Sequence, residues 1–310
     1  MSVFVQQQGS PCDFSGGDSW VIMTPIEQSI KRKIEAVGTP LKDWDINIYR
    51  GVLTGCNEAF IISSEKRDEI LSNCKSEEEK KRTDELIRPI LRGRDIKRYS
   101  YDWANLWLIW VPWHFPLHND TSIQGASERA EKAFQTQYPA LYNHLLAYKK
   151  ELSARNKAET GIRYEWYALQ RWGANYWEDF KQPKILFQEI VQESQFMIDT
   201  EGTFFCNDTG RIIVGEGLYH LLGVLNSTLF FYAIKTFYGG GILGDHGVRM
   251  KHTFFEKFPC LPISEDISSI AESLTHRFDS RILVRLEKII FKTYGLTNDE
   301  VNYIYESTNQ

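Results

Sequence analysis

Phe237-Tyr238-Gly239-Gly240-Gly241 spells F-x-G-x-G, and Gly239, Gly241 and Gly244 also satisfy G-x-G-x-x-G. Glycine turns of this kind present backbone amides to S-adenosylmethionine or a dinucleotide, provided a strand leads in and a helix N-terminus follows. Here the residues leading in read as a helix, and Asp245-His246-Gly247 after them reads as another turn. The chain contains no Pro-Pro pair, and hence no N-P-P-Y-type motif to grip a flipped base. Both observations argue against a methyl-transfer centre. Asp68 with Glu78-x-Lys80 is a loose D…E-x-K match, the carboxylate and lysine set of a Mg²⁺ nuclease. Glu77-Glu78-Glu79-Lys80-Lys81, however, reads as a solvated charge run on a helix. His114 and His118 lie four apart, but Pro112 and Pro116 split them, so a helical metal site is not expected. Cys12, Cys56, Cys74, Cys206 and Cys260 show no C-x-x-C spacing, which argues against a zinc site and suits a reducing cytoplasm.

Cation clusters carry more. Arg88 to Tyr99 (RPILRGRDIKRY) places Arg88, Arg92, Arg94, Lys97 and Arg98 within eleven positions, against the single acid Asp95. Gly93 permits a tight turn from which Arg92 and Arg94 can splay. The planar guanidinium fork fits a phosphate or the O6/N7 edge of guanine. The competing reading is a solvated turn with surface ion pairs, Arg94 and Asp95 among them. A second cluster, Arg249-Met250-Lys251-His252, follows the glycine loop. A third runs Lys149, Lys150, Arg155, Lys157, Arg163 and Arg171, interleaved with Tyr164, Trp166, Tyr167 and Trp172. Those aromatics could stack on bases, although core packing is their commoner use. The net charge of −5 counts against a nucleic-acid partner, yet steering depends on the local field rather than on the total.

The elements that must hold these residues follow from periodicity. Pro25–Val37 has helical spacing and stops at Gly38. Trp44–Ile62 alternates and reads as two strands around Gly51 and Gly55. Ser64–Lys81 reads as a solvated helix, Tyr99–Val111 as a buried strand, and Ser122–Arg155 as helical with a break at Tyr138-Pro139. Lys184–Ile190, Gln195–Asp199, Thr203–Cys206 and Arg211–Val214 read as short strands with turns at Glu201-Gly202 and Asn207-Asp208. Tyr219–Tyr238 is the most apolar stretch. It holds His220, Asn226 and Lys235 and reads as one buried helix rather than a membrane span. Two helices follow, one through Tyr294 and one over Asp299–Ile304, with Gly295 as the stop and Thr297 as an N-cap. The start of the chain has no basic, apolar leader pattern. With 310 residues, 42% hydrophobic and 25% charged, the chain is expected to fold as an α+β protein. That fold has a mixed or antiparallel sheet, a helical insertion near 120–180 and a C-terminal helical segment.

Seven segments in this order resemble the C-terminal specificity region of type IIG restriction–modification enzymes and related adenine-specific methyltransferases. They are Trp44–Ile62, Ile87–Tyr99, Tyr138–Arg155, Tyr164–Arg171 (YEWYALQR), Pro183–Ile190 (PKILFQEI), Leu221–Phe231 (LLGVLNSTLFF) and Phe255–Ile263 (FEKFPCLPI). The tail Leu283–Ile304 resembles the helical end of the same region. The resemblance implies a target-recognition domain over 20–264, a loose lead-in over 1–19 and a helical segment over 265–310. It implies double-stranded DNA as partner, and the basic clusters make Arg92, Arg94, Lys97, Arg98, Arg249 and Lys251 the expected contacts. It also implies a methyltransferase/nuclease domain or subunit as a second partner, which would hold the S-adenosylmethionine and Mg²⁺. This chain is expected to carry no catalytic centre and no cofactor, to meet no membrane and to work in the cytoplasm. The family's methyltransferase and nuclease domains have no counterpart in this sequence. The rival expectations are a docking module for a partner methyltransferase, or a stand-alone S-adenosylmethionine-dependent methyltransferase or nuclease.

Overall fold

The computed structural model describes residues 23–239, 242–243 and 247–308. The lead-in 1–19, and Gly240, Gly241, Gly244, Asp245 and His246 of the glycine loop, lie outside the described residues. The chain divides into two compact units, each built from separate stretches of sequence. The α+β expectation holds for the described residues: mixed and antiparallel sheets, a helical insertion and a helical C-terminal segment.

The larger unit comprises Asn47–Glu189 and Phe196–Gly215. Its first sheet has four strands in the order Phe196–Asp199, Lys184–Gln188, Gly210–Gly215 and Ile46–Arg50. The first three pair antiparallel, and the register sets Lys184 opposite Asp199. Those two side chains are buried and joined, with Lys184 Nζ donating to Asp199 Oδ2 at 2.6 Å. The second sheet is mixed. Ile87–Leu91 pairs parallel with Phe205–Cys206 and antiparallel with Leu106–Ile109, which in turn pairs antiparallel with Ile61–Ser63. Phe60, Ile90, Leu108, Phe180, Leu186 and Phe205 are fully or almost fully buried in the core of this unit.

The helical insertion packs on that core. Ser127 caps Glu128–Gln137 by accepting from the Ala130 amide, and Pro139 opens Pro139–Leu146. A proline suits the first helical position because its missing N–H has no partner to lose there. Lys149–Ala154 completes the group, and Phe134, Leu141, Leu145 and Leu152 bury the apolar face.

Three expectations in this unit change. Trp44–Ile62 gives one strand, two isolated bridges at Val52 and Leu53, the helix Asn57–Phe60 and the start of a second strand. Tyr99–Val111 contributes only Leu106–Ile109 to the sheet, because Tyr99 and Asn105 take left-handed backbone angles (φ 61° and 54°) that interrupt extension. Ser64–Lys81 splits into Ser64–Ser72 and Glu77–Asp84, since Ser76 caps the second helix. Its charge run is not wholly solvated either. Glu79 is buried and accepts from the Lys75 and Ala140 amides at 2.8 and 3.0 Å.

The other unit gathers described residues 23–46, 190–195 and 216–308. Pro25–Val37 forms the expected helix, opened by a reciprocal Thr24–Glu27 capping box. Gly38 then passes so close to Pro259 that a Cβ would lie 2.2 Å from its carbonyl oxygen, and Thr39–Pro40 pairs with Pro259–Cys260. Ile190–Val191, Gly247–Arg249 and Ile242–Leu243 form a small antiparallel sheet.

The apolar stretch Tyr219–Tyr238 is buried as expected but is not one helix. Ser227 Oγ donates to the Val224 carbonyl and accepts from the Phe230 amide. This ends Leu218–Leu225 and starts Thr228–Ala233. A π turn, Ile234–Tyr238, follows. Among the described residues no helix is long and apolar enough to cross a membrane.

The C-terminal segment holds three helices rather than two: Glu265–His276, Ser280–Thr293 and Asn298–Thr308. Asp279 makes the extra break by capping the second at the Arg281 amide. Gly295 (φ 68°) is the stop, and Thr297 shares a capping pair with Glu300.

Candidate nucleic-acid interface

The strand Ile87–Leu91 ends in a single 3-10 turn, Gly93–Asp95. Its geometry comes from one carboxylate. Asp95 Oδ2 accepts from the Arg92 amide at 2.8 Å and from Arg92 Nε at 2.9 Å, while Oδ1 accepts from Arg92 Nη2 at 2.7 Å. The Asp95 amide donates back to the Arg92 carbonyl at 2.9 Å. This two-pronged, charge-assisted pair closes the turn. Burial pushes the Asp95 carboxyl up, but the Arg92 guanidinium outweighs it and holds the group below its usual range. Arg92 is raised in turn, chiefly by its hydrogen bond to Asp95.

Gly93 is what lets this turn sit against the rest of the unit. Its amide donates to Thr209 Oγ1 at 3.0 Å, and a Cβ there would lie 2.9 Å from the Thr209 carbonyl oxygen and 3.0 Å from Gln188 Cγ. Thr209 Oγ1 in turn donates to Asn207 Oδ1 at 2.7 Å. The turn is thereby braced by the end of Lys184–Gln188 and by the Asn207–Gly210 turn. After it, Ile96 is fully buried, and the Tyr99 amide donates to the Phe196 carbonyl at 2.9 Å. Ile96–Lys97 and Ser100–Tyr101 form a short antiparallel hairpin.

Between these anchors the cations are sorted. Arg92 is committed to Asp95. Arg94 is exposed. Lys97 is half-buried, and its ammonium donates to the Arg94 carbonyl at 2.8 Å, beside Arg94. Arg98 is half-buried in the same segment. The competing sequence reading paired Asp95 with its neighbour Arg94, whereas the carboxylate takes Arg92. The three-residue spacing from Arg92 to Asp95, that of a capping box, is the signal that could have shown it. Two further ion pairs occur nearby in the same unit: Arg50 with Asp208 at 3.6 Å, and Arg211 with Glu189 at 2.9 Å. Neither was singled out from sequence, because each joins residues far apart in the chain.

Arg249 and Lys251 belong to the other unit. Arg249 ends the strand Gly247–Arg249 opposite Ile190, exposed between the buried Val248 and Met250. Lys251 is exposed just before the short helix His252–Phe255, with its ammonium 5.9 Å from the centre of the Phe254 ring.

The residues that resembled catalytic sets do other work. The π turn, not a strand, precedes Gly239. Asp68 is exposed on one helix and Glu78 on the next, and Asp68 meets Arg67 at 3.4 Å. His114 Nδ1 lies 3.0 Å from Glu165 Oε1, while His118 stacks on Phe115. Among the described residues no group of three or more His, Cys, Asp or Glu side chains could hold a metal ion. Burial raises the Cys206 thiol to about 12, so it is no nucleophile at neutral pH.

A solved structure similar to this chain is that of the type IIL restriction–modification enzyme MmeI in complex with DNA. It shares 14% identity and a TM-score of 0.54 over 87% of this chain and 36% of that one. The type IIG restriction endonuclease BpuSI is also similar, at 12% identity and a TM-score of 0.47 over 88% of this chain and 34% of that one. The chain thus spans about a third of the length of these proteins. No curated protein matches it. The profile of the TaqI-like C-terminal specificity domain matches residues 88–260, a stretch that begins at the strand leading into the Arg92 turn and contains all six predicted cations. Since that match covers more than half of the sequence, the chain belongs to the TaqI-like C-terminal specificity domain family.

Proposed function

We propose that this chain reads a DNA sequence on behalf of a restriction–modification enzyme, in the cytoplasm where its duplex target lies. Methyl transfer and cleavage, with their S-adenosylmethionine and Mg²⁺, fall to another domain or subunit, and this chain carries no catalytic centre. The observation that carries the reading is the braced turn. Arg92 and Asp95 cancel one another's charge and lock the backbone, so that Arg94 and Lys97 stand together on a rigid mount. Arg94 is the group suited to a base edge, because a guanidinium can donate two parallel bonds to guanine O6/N7. Lys97, a compact point charge, suits a phosphate. Arg98, Arg249 and Lys251 are further phosphate candidates, whereas Arg92 positions Arg94. A rigid mount matters because ordering a flexible loop on binding would subtract from affinity.

The test is fluorescence anisotropy of the full chain on duplex DNA selected from a random library, read across a salt series. The expected result is an affinity that falls steeply with salt, by about 0.9 in log–log slope for each phosphate neutralised. Arg94→Gln should flatten the preference for the selected sequence. Salt-independent binding, or unchanged preference in Arg94→Gln, would refute the assignment of this turn.

A further inference from the structure

The third cation group, on and after the helical insertion, is sorted by the fold as sharply as the first. Arg155 is buried and donates to the carbonyls of Leu152, Thr54, Trp166 and Ala168. It is a structural strut, with four of its five N–H donors committed to backbone carbonyls inside the core. Arg163 and Arg171, eight positions apart in sequence, instead converge on Glu159. Arg163 Nη1 donates to Glu159 Oε1 at 2.9 Å, and Arg171 Nη2 reaches both carboxylate oxygens at 3.0 and 2.9 Å. The carboxylate is itself mostly buried, its side chain 12% exposed, while the two arginine side chains are 60% and 48% exposed.

The mount is stiff. Arg171 exchanges two backbone hydrogen bonds with Leu53, both 2.9 Å, and the Arg163 amide donates to the Glu159 carbonyl at 2.7 Å. Both guanidinium carbons lie over the Trp113 ring, 5.6 and 5.8 Å from its centre. That ring is fixed by its Nε1–H donating to the Leu169 carbonyl at 2.8 Å and by stacking on Tyr164. Two guanidinium groups against one carboxylate leave a net positive charge, and the exposed Lys157 precedes Glu159 by two residues. Each guanidinium carries five N–H donors, more than Glu159 and the Gln170 carbonyl engage.

We propose that Arg163 and Arg171, paired across Glu159, form a clamp for a backbone phosphate of duplex DNA, separate in role from the Arg94 turn. This rests on the DNA-reading function proposed above and extends it to a second contact point. A phosphodiester fits because its two unesterified oxygens can accept from both forks at once. The clamp has no exposed acceptor of its own to read a base donor, since its one carboxylate is already saturated by the arginines and by Asn156 Nδ2 at 2.6 Å. Its contribution is therefore to register and orientation rather than to sequence choice.

The experiment is the same salt-series anisotropy on the full chain, comparing Arg163→Gln/Arg171→Gln with the parent, folding being followed by thermal melts. The expected result is a log–log salt slope smaller by about 0.9, the value for the one phosphate the clamp holds, with equal weakening on selected and scrambled duplexes. Glu159→Gln removes the opposing charge, so tighter binding with a slope at least as steep is expected even if that variant melts earlier. A purely structural ion pair would lower the melting temperature and leave the salt slope alone, and that result would overturn the clamp. If Arg94→Gln alters sequence preference while the double variant keeps the parent slope, the clamp is wrong and the function stands. If the parent binds no duplex at all, both fall.

Discussion

The Arg92–Lys97 turn and the Arg155–Arg171 loop begin as similar stretches of basic sequence, and the fold divides both in the same way. In each, one arginine is turned inward: Arg92 onto Asp95, Arg155 onto four backbone carbonyls. In each, other cations are left exposed on the frame so made. The difference lies in what receives the inward arginine. Arg92, itself half-buried, meets a buried carboxylate in the turn that follows a strand. Arg155 meets only neutral carbonyls inside the core, and burial lowers its pKa accordingly. The number of cations in a run is thus a poor guide to binding capacity, because some of them build the mount that the others need.

The largest effect that would break this comparison is expected at Arg155. Arg155→Met should destabilise the larger unit by about 4 kcal/mol, since several buried carbonyls lose their donor at once. Urea unfolding measures this, and a loss below about 1 kcal/mol would show that Arg155 is no strut. Asp95→Asn comes next. It keeps the shape but removes the charge-assisted pair, and about 2 kcal/mol of stability should go with it. The Arg92 turn should then exchange its amide protons faster than the surrounding strands.

Arg94→Gln should cost roughly tenfold in affinity for the preferred duplex, about 1.4 kcal/mol, with the melting temperature unchanged. A fall in melting temperature of the Asp95→Asn kind would move Arg94 from the presented class to the structural one. The smallest effect is in acid. The Asp95 carboxyl is held low by Arg92, and the Glu159 carboxyl, chiefly through the Arg171 hydrogen bond, is held low as well. Because the folded values lie below the unfolded ones, the stability from both pairs is present above about pH 4 and is lost as pH falls through the lowered values. Carboxyl titration by NMR should show both groups still ionised when ordinary surface carboxylates have half protonated. A normal titration at either would weaken that half of the comparison.

What the sequence made legible is what short-range rules govern. The strands between 184 and 215 followed from β-branched and aromatic runs broken at Glu201-Gly202 and Asn207-Asp208. The Pro25–Val37 helix and the Thr297–Glu300 cap followed from start and stop residues. Ser227 was hidden inside an apolar run, where its hydroxyl overrode the periodicity that suggested a continuous helix. The candidate interface was half legible. Arg94 and Lys97 were visible as a cluster, but the seating of the turn rests on Thr209, Gln188 and Phe196, more than ninety positions away, which meet Gly93 and Tyr99. The meeting of Arg163 and Arg171 at Glu159 needed the Leu53 bridge and the Trp113 ring, neither of which local spacing reveals.

The smaller unit draws the helix Pro25–Val37 from before residue 46 and nearly all its other described packing from after residue 216. On the ribosome that helix emerges well ahead of Pro259, whose backbone closes on Gly38, and of Glu300, which accepts from Ser29 and Lys33. At ordinary synthesis rates the delay is on the order of ten seconds or more. The larger unit has its last strand, Gly210–Gly215, in hand before those partners exist. Nascent chains should therefore gain protease resistance in two steps, with the larger unit first and the Pro25–Val37 helix among the last pieces to be secured.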